Sequence, residues 1–286
     1  MAKLKKSEEL ELDKQTRESF KFDMLKMYFG YDYTAKCGIV VRQPTLGEII
    51  DNGETEFYET LNIFVSNPTQ YRLPLWNMGI DWCKLSDFEL FCILFKTINK
   101  DIANLLFPST DLTNYELFTE HISEEQSVPI LFNKDTESII RNNDYLEISQ
   151  YLRTMFGIFP NVERAKGKAT KEAIIWEDGI KVEKLKNKPS LSHLQSLISS
   201  CLNHPGFKYK KNELKEVGIC EFMDSVQRLQ VYENTIALLH GSMSGFCDTS
   251  KVPKDNFNFM REISHDDNKS YSQKEKDAFE KLAATS

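Results

Sequence analysis

The sequence contains no apolar run that approaches the roughly 20 residues of a membrane-spanning helix. Its first residues, MAKLKKSEELELDKQ, include lysines but no apolar segment behind them, so we expect no signal peptide. It also contains no phosphate-binding loop, dinucleotide fingerprint, metalloprotease helix or exposed-serine elbow. These absences exclude the enzyme classes that carry such motifs. We therefore predict a protein without catalytic residues, without a cofactor and without a membrane partner.

Cysteine is sparse and scattered, and none of the residues is accompanied by a glycine-rich oxyanion loop. A chain of 286 residues that is 41% hydrophobic has enough core-forming residues to fold without a disulfide framework. We therefore predict reduced thiols and a cytoplasmic protein. The cysteines are Cys37, Cys83, Cys92, Cys201, Cys220 and Cys247.

One set of residues leaves a metal site open as an alternative. Cys201 and His204 have two-residue ligand spacing, and His240 with Cys247 could complete a four-ligand zinc site. The simpler interpretation makes Cys201 a buried helix residue and His204 a turn residue, and we prefer it. A small metal-binding regulator is the corresponding functional alternative.

Negative charge is concentrated in one part of the chain. From Cys37 to Pro160 there are 8 basic and 18 acidic residues, a net charge of −10, whereas the whole chain carries −7. The remainder is therefore slightly basic, at +3 by difference. An acidic first half argues against wrapping a nucleic-acid backbone, so we predict no nucleic-acid partner.

The clearest pattern lies between Leu191 and Phe246 and predicts a helix, a turn, a short helix and a long helix that a glycine ends. Gly241 is predicted to supply the left-handed residue that ends the long helix after His240. The upstream helix is predicted to end at Asn203. The long helix has apolar residues at the spacing of one buried face, namely Ile219, Phe222, Met223, Val226 and Leu229.

Other helices are predicted from their first residues. Thr45 to Glu48 and Ser86 to Glu89 each match the capping box, and a helix is predicted from about Glu54 to Ser66. Asp144 is predicted to cap a helix that ends at Phe156, and Thr170 one that reaches about Leu185. Residues 115–119, 128–132 and 138–140 read as short strands, with turn residues at 133–136.

These elements predict a mainly α fold, a multi-helix globular domain with a small antiparallel β-sheet or hairpin insertion. We expect a flexible, charged extension over residues 1–19 and a mostly helical domain over 20–263. Residues 160–170, PNVERAKGKAT, are the best candidate for a hinge. Residues 264–286 are hydrophilic and predicted to be disordered.

Residues 68–85, PTQYRLPLWNMGIDWCKL, are rich in aromatic side chains and are called the aromatic connection below. Core packing is the default interpretation of such residues. The alternative is a groove that takes an amphipathic helix of a partner, with the aromatic side chains as anchors. On that hypothesis, Tyr71, Trp76 and Trp82 are the candidate partner-contact residues.

Three segments resemble a family of tailed-bacteriophage proteins from the tail-morphogenesis genes of phages of Gram-positive hosts, and the resemblance spans about residues 38–263. They are PTLGEIID with the following NGETEFY, then NMGIDWCKLSDFELF, and LISSCLNHPGFKYKKNELKEVGICEFMDSVQRLQ with LLHGSMSGF. The family looks like tail assembly chaperones. The resemblance implies that the chain holds the tape-measure protein in solution while tube subunits assemble around it, in the host cell cytoplasm. It transfers no functional residue to this chain.

Two further points stay open at this stage. A structural subunit of the phage particle, in the tail or neck, is the main alternative to a chaperone, and it would place the chain in the virion. The sequence also leaves self-association as a homo-oligomer open.

Overall fold

The computed structural model describes residues 20–123, 126–186, 192–244, 252–261 and 263. Within these residues the chain is mainly helical, with ten α-helices and two small antiparallel sheets. The predicted fold class is therefore confirmed. The extensions predicted at 1–19 and 264–286 lie outside the described residues.

The α-helices vary from one turn to seven turns in length. They are α1 Met24–Tyr28, α2 Leu46–Asp51, α3 Glu54–Val65, α4 Arg72–Asn77, α5 Asp87–Leu94, α6 Lys100–Leu106, α7 Asn142–Phe156, α8 Lys168–Lys186, α9 His193–Leu202 and α10 Ile219–Ser244. The strands are β1 Tyr33–Thr34, β2 Val40–Val41, β3 Tyr115–Ser123, β4 Gln126–Asn133 and β5 Ser138–Ile140. β1 pairs with β2, and β3, β4 and β5 form the second sheet in that order.

Both predicted capping boxes are present. The Thr45 hydroxyl accepts a hydrogen bond from the Glu48 amide at 3.2 Å, and the Glu48 carboxylate accepts one from the Thr45 amide at 2.9 Å. Ser86 and Glu89 make the same reciprocal pair at the start of α5. Each box satisfies two amide groups that the first helical turn leaves without partners, which explains why α2 and α5 begin where they do.

Two predicted helix starts are wrong. α7 begins at Asn142, and Asp144 lies at its third position, where the carboxylate accepts a hydrogen bond from the Arg141 amide at 2.9 Å. α8 begins at Lys168, so Thr170 lies inside its first turn. In both cases the helix begins three residues before the predicted start, and the residue predicted as the cap lies at the third helical position.

The predicted end of α10 is also wrong. The helix runs through Gly241 to Ser244. A glycine ends a helix when its φ is positive, as Gly157 does after α7 with φ 65°, and Gly241 is not among the positive-φ residues. The predicted apolar face is only partly buried, since Phe222 is buried and Val226 and Leu229 are half-buried.

The chain divides into two compact units, Met1–Gln195 with Lys211–Cys220 and Ser196–Lys210 with Glu221–Ser286. The predicted hinge at 160–170 lies inside the first unit.

The core of the first unit is built from aromatic side chains of α3, α5 and α7. Phe57 and Phe64 on α3 are buried, as the helical spacing predicts. The ring of Phe91 stacks on that of Tyr145 with centroids 4.7 Å apart, and the Tyr145 hydroxyl donates a hydrogen bond to the Phe64 carbonyl at 3.1 Å. Burial raises the pKa of this hydroxyl, so Tyr145 stays neutral in the core.

In the second unit, α10 holds the segment that follows it. The Thr235 hydroxyl donates to the Asn256 carbonyl at 3.1 Å, and Arg228 donates to the Arg261 carbonyl at 2.7 Å. Thr235 is buried, so its hydroxyl needs the partner that Asn256 provides.

A close approach in the first unit gives a test of the packing. A Cβ on Gly47 in α2 would lie 2.8 Å from the carbonyl oxygen of Lys215, whereas one on Gly179 in α8 would meet no atom within 4 Å. We expect Gly47→Ala to lower the free energy of unfolding by about 1 to 3 kcal/mol, because the backbone must move apart. Gly179→Ala should raise it by up to about 1 kcal/mol, because alanine favours the helix. Urea denaturation of both variants checks this, and equal effects would contradict it.

Candidate partner-binding site

The three candidate partner-contact residues lie together in one apolar cluster. Tyr71 precedes α4, Trp76 belongs to α4, and Trp82 begins the short 3-10 helix that follows. The rings of Trp76 and Trp82 meet edge to face with centroids 5.7 Å apart. Trp82 is 2% exposed, so it contacts the chain's own side chains. The cluster consists of Leu75, Trp82, Leu90 and Ile175, with Tyr71 and Trp76 packed against it.

α8 lies on this cluster through one face, which we call the contact face. Ile175 is the apolar residue of that face that is buried, at 8% exposure. The Lys171 ammonium group lies 2.6 and 2.8 Å from the two carboxylate oxygens of Asp81. Arg72 binds the Asp178 carboxylate through two of its nitrogens, one of them at 2.8 Å. Lys171, Ile175 and Asp178 follow a spacing of four and three residues, which places them on one side of a helix.

The contact face continues beyond the part of α8 that is packed. The next residues at the same spacing are Val182 and Leu185, which are 44% and 59% exposed. Ile175 is the one buried residue among the 19 of this helix. Trp176, on a different side of α8, is 71% exposed. The ion pairs and the buried Ile175 therefore fasten α8, and Ile174 and Ile180 are half-buried, whereas Val182 and Leu185 in its second half are exposed.

The ion pairs at this surface are strong enough to affect ionisation. The hydrogen bond from Lys171 lowers the pKa of Asp81 below its usual range, although burial opposes the shift. The hydrogen bond from Arg72 lowers the pKa of Asp178 in the same way. Both carboxylates are therefore charged at neutral pH, and each stabilises the packed position of α8.

This electrostatic attachment predicts that acid releases α8. Because the pKa values of Asp81 and Asp178 are lowered in the folded protein, their stabilisation is complete above the unfolded value of about 3.9 and is lost as pH falls through the folded values. We expect the α8 amides to lose hydrogen-exchange protection below about pH 4. In the Asp81→Asn variant, protection should already be lower at pH 7 and should change less with acid. Equal protection of α8 at pH 6 and pH 3 would contradict the prediction.

The segment before α8, predicted as a hinge, is attached to the aromatic connection. The Asn67 side chain donates to the Asn161 carbonyl at 3.0 Å, and the Thr69 hydroxyl bonds both the amide and the carbonyl of Glu163. Glu163 also pairs with Arg72. These contacts fix the position from which α8 begins.

A groove of about 250 Å³ opens beside the cluster, between the start of α5, one face of α7 and residues 159–164. Arg153 lies on its wall and donates to the Val65 and Ser66 carbonyls at 2.7 and 3.0 Å and to Asp87 at 2.8 Å. Since these charges are paired within the protein, the groove offers mainly apolar contact. Its apolar lining comprises Pro68, Trp82, Leu85, Leu146, Phe159, Pro160 and Val162.

A second apolar surface, which the sequence did not indicate, lies on the outer face of the β3–β4–β5 sheet. Tyr115 and Leu131 are buried on the inner face. The register pairs Phe118 with Ile130 on the opposite face, beside Phe132, and Phe118 is exposed. Val128, Ile130 and Phe132 alternate along β4, and this alternation is the sequence signal that could have identified the surface.

The zinc alternative gains no support from the geometry. Cys201 is buried, and burial raises the pKa of its thiol. His204 accepts a hydrogen bond from the Gly206 amide at 3.0 Å and lies 2.9 Å from Glu233, so it is a turn residue. Among the residues that the structure describes, no three His, Cys, Asp or Glu side chains are placed to hold a metal ion. Cys247 lies outside the described residues.

Within the described ranges, no helix is both long enough and apolar enough to cross a bilayer. No protein-family model, no curated protein and no solved structure matches the chain. The resemblance to tail-morphogenesis proteins therefore stays a prediction from the sequence.

Proposed function

We propose that the chain is a phage tail assembly chaperone. It binds the tape-measure protein in the host cell cytoplasm and keeps it in solution while tube subunits assemble around it, without catalysis. The observation that carries the proposal is the contact face of α8, which packs on the aromatic connection through Ile175 and leaves Val182 and Leu185 exposed.

The chemistry of this surface suits a helical client. A tape-measure protein is expected to be a long, largely helical and hydrophobic chain that aggregates when its apolar surface is bare. Val182, Leu185 and Trp176 offer apolar contact to such a helix, in the way that amphipathic helices bind grooves. The net charge of −7 would keep loaded complexes apart by repulsion.

Co-expression with the tape-measure protein of the same phage tests the proposal. The wild-type chain should raise the soluble fraction of the tape measure, and Val182→Asp with Leu185→Asp should abolish that gain. Glu183→Lys with Lys186→Glu is the matched control, because it changes exposed residues of the same helical turns without removing apolar surface. A tape measure that is equally soluble with and without this chain would refute the proposal.

Mass spectrometry of purified particles against the infected-cell lysate is the second arm of the test. An assembly chaperone should be abundant in the lysate and absent from particles. Stoichiometric presence in particles would make the chain a structural subunit instead.

The β3–β4–β5 sheet favours this second candidate, a tail or neck subunit. β3 is a nine-residue edge strand without proline, and such an edge can pair with another chain. The apolar outer face around Phe118 would extend that contact. If the chain is a particle subunit, light scattering should find an oligomer that Phe118→Ser weakens, and a monomer at assembly concentrations would exclude the candidate.

A further inference from the structure

α8 is attached to the aromatic connection through one buried apolar residue and two ion pairs. One of its 19 residues, Ile175, is buried, and Ile174 and Ile180 are half-buried. The ion pairs of Lys171 and Asp178 add to this attachment. A helix held in this way can detach at small cost, because little apolar area returns to water. Its removal would uncover the cluster around Leu75 and Trp82.

A polar group of the surface beneath α8 has no hydrogen-bond partner within the described ranges. The Trp82 indole nitrogen is buried, yet among the described residues no atom accepts its hydrogen bond. A buried Trp N–H normally has an acceptor. The Lys171 ammonium group lies 5.7 Å from the centre of the Trp82 ring, so this donor belongs to a residue that α8 covers.

The charges of the surface define what such a helix must carry. Asp81 pairs with a basic side chain and Arg72 pairs with an acidic one. In α8 these side chains are Lys171 and Asp178, which are seven residues apart with Ile175 between them. A helix with the reversed order would place like charges together, so the pair selects both sequence and direction.

The start of α8 is attached independently of its contact face. Glu163 is bonded to Thr69 and paired with Arg72, and Asn161 is bonded to Asn67. After release, α8 would therefore remain near its surface and could return once the competing helix leaves.

We infer that the client first contacts Val182 and Leu185 and that a helix of the client with the same pattern as α8 then displaces α8 from the surface beneath it. That pattern is a base, a branched aliphatic residue four positions later and an acid three positions after it. The inference rests on the proposed chaperone function and names the segment of the client that the chain recognises.

The probe for this inference is a fluorescent peptide with the sequence of residues 167–186, titrated into full-length protein. The Ile175→Asp chain, whose own α8 is loosened, should bind the peptide at least about tenfold more tightly than the wild-type chain, because an internal competitor is removed. A peptide in which Lys171 and Asp178 are exchanged should not bind. Hydrogen exchange of the wild-type chain should show α8 opening faster than α7, and this arm holds even if Ile175→Asp does not fold.

Two results would overturn the inference. One is a folded Ile175→Asp chain that binds neither peptide, and the other is an α8 that exchanges as slowly as α7. The peptide should also compete with the tape measure for the chain. A client that the chain solubilises, but that the peptide does not displace from the chain, would refute this inference without affecting the proposed function. Peptide binding by a chain that has no effect on the solubility of the client would refute the proposed function and, with it, the client that this inference names.

Discussion

Replacing Arg153 by methionine is expected to lower the free energy of unfolding by about 3 kcal/mol, near the lower end of what removing one member of a buried ion pair costs. The Arg153 side chain is 12% exposed and donates to Asp87 and to the carbonyls of Val65 and Ser66. Methionine fills similar space but donates no hydrogen bond, so these acceptors lose their partner. Thermal and urea denaturation measure the change.

Arg141→Met, at the residue immediately before the same helix, is the matched control. Arg141 pairs with Glu120 at the start of α7, where both side chains are exposed, so its loss should cost less than about 1 kcal/mol. Both variants replace an ion-paired arginine by methionine, so a difference in lost stability reports the effect of burial and not the loss of the charge itself. If both variants lose the same stability, the Arg153 contacts contribute no more than a surface pair and the expectation fails.

The elements that could be predicted from the sequence are those fixed by neighbouring residues. The capping boxes at Thr45 and Ser86 involve side chains three positions apart, and the strands around the Asn133 turn are set by short-range chemistry. The length of α10 was missed because Gly241 has two conformations open to it and nothing local selects between them. Tertiary context decides such cases.

The candidate site could be predicted only in part, for a related reason. Tyr71, Trp76 and Trp82 were found because they share one connection. Their cover, α8, lies some ninety residues later, as the Lys171–Asp81 pair shows. A search for apolar periodicity could not find its contact face, because a lysine and an aspartate occupy two of the five positions.

Reversing the charge of Asp81 should release α8 at neutral pH. In Asp81→Lys, a lysine would face Lys171 in the partly buried position that now holds a 2.6 Å ion pair. Loss of attraction and gain of repulsion act together, so we expect the α8 amides to exchange on the order of 100-fold faster. Exchange in α7 should stay within about tenfold of wild type, because α8 is attached to the aromatic connection rather than to α7.

The Asp81→Lys, Lys171→Asp double variant should recover most of the protection by restoring an opposite-charge pair. Recovery should be incomplete, because the Asp81 carboxylate also accepts the Cys83 amide at 3.2 Å and lysine cannot. Glu116→Lys is the control, because it makes the same acid-to-lysine change at an exposed ion pair with Lys134. It should leave the exchange of the α8 amides unchanged. If Asp81→Lys leaves α8 protected, or if the double variant exchanges as fast as the single one, the Lys171–Asp81 pair does not hold the helix. In that case the Arg72–Asp178 pair and the apolar contact of Ile175 hold it, and a partner helix would need no base at the position of Lys171 to compete.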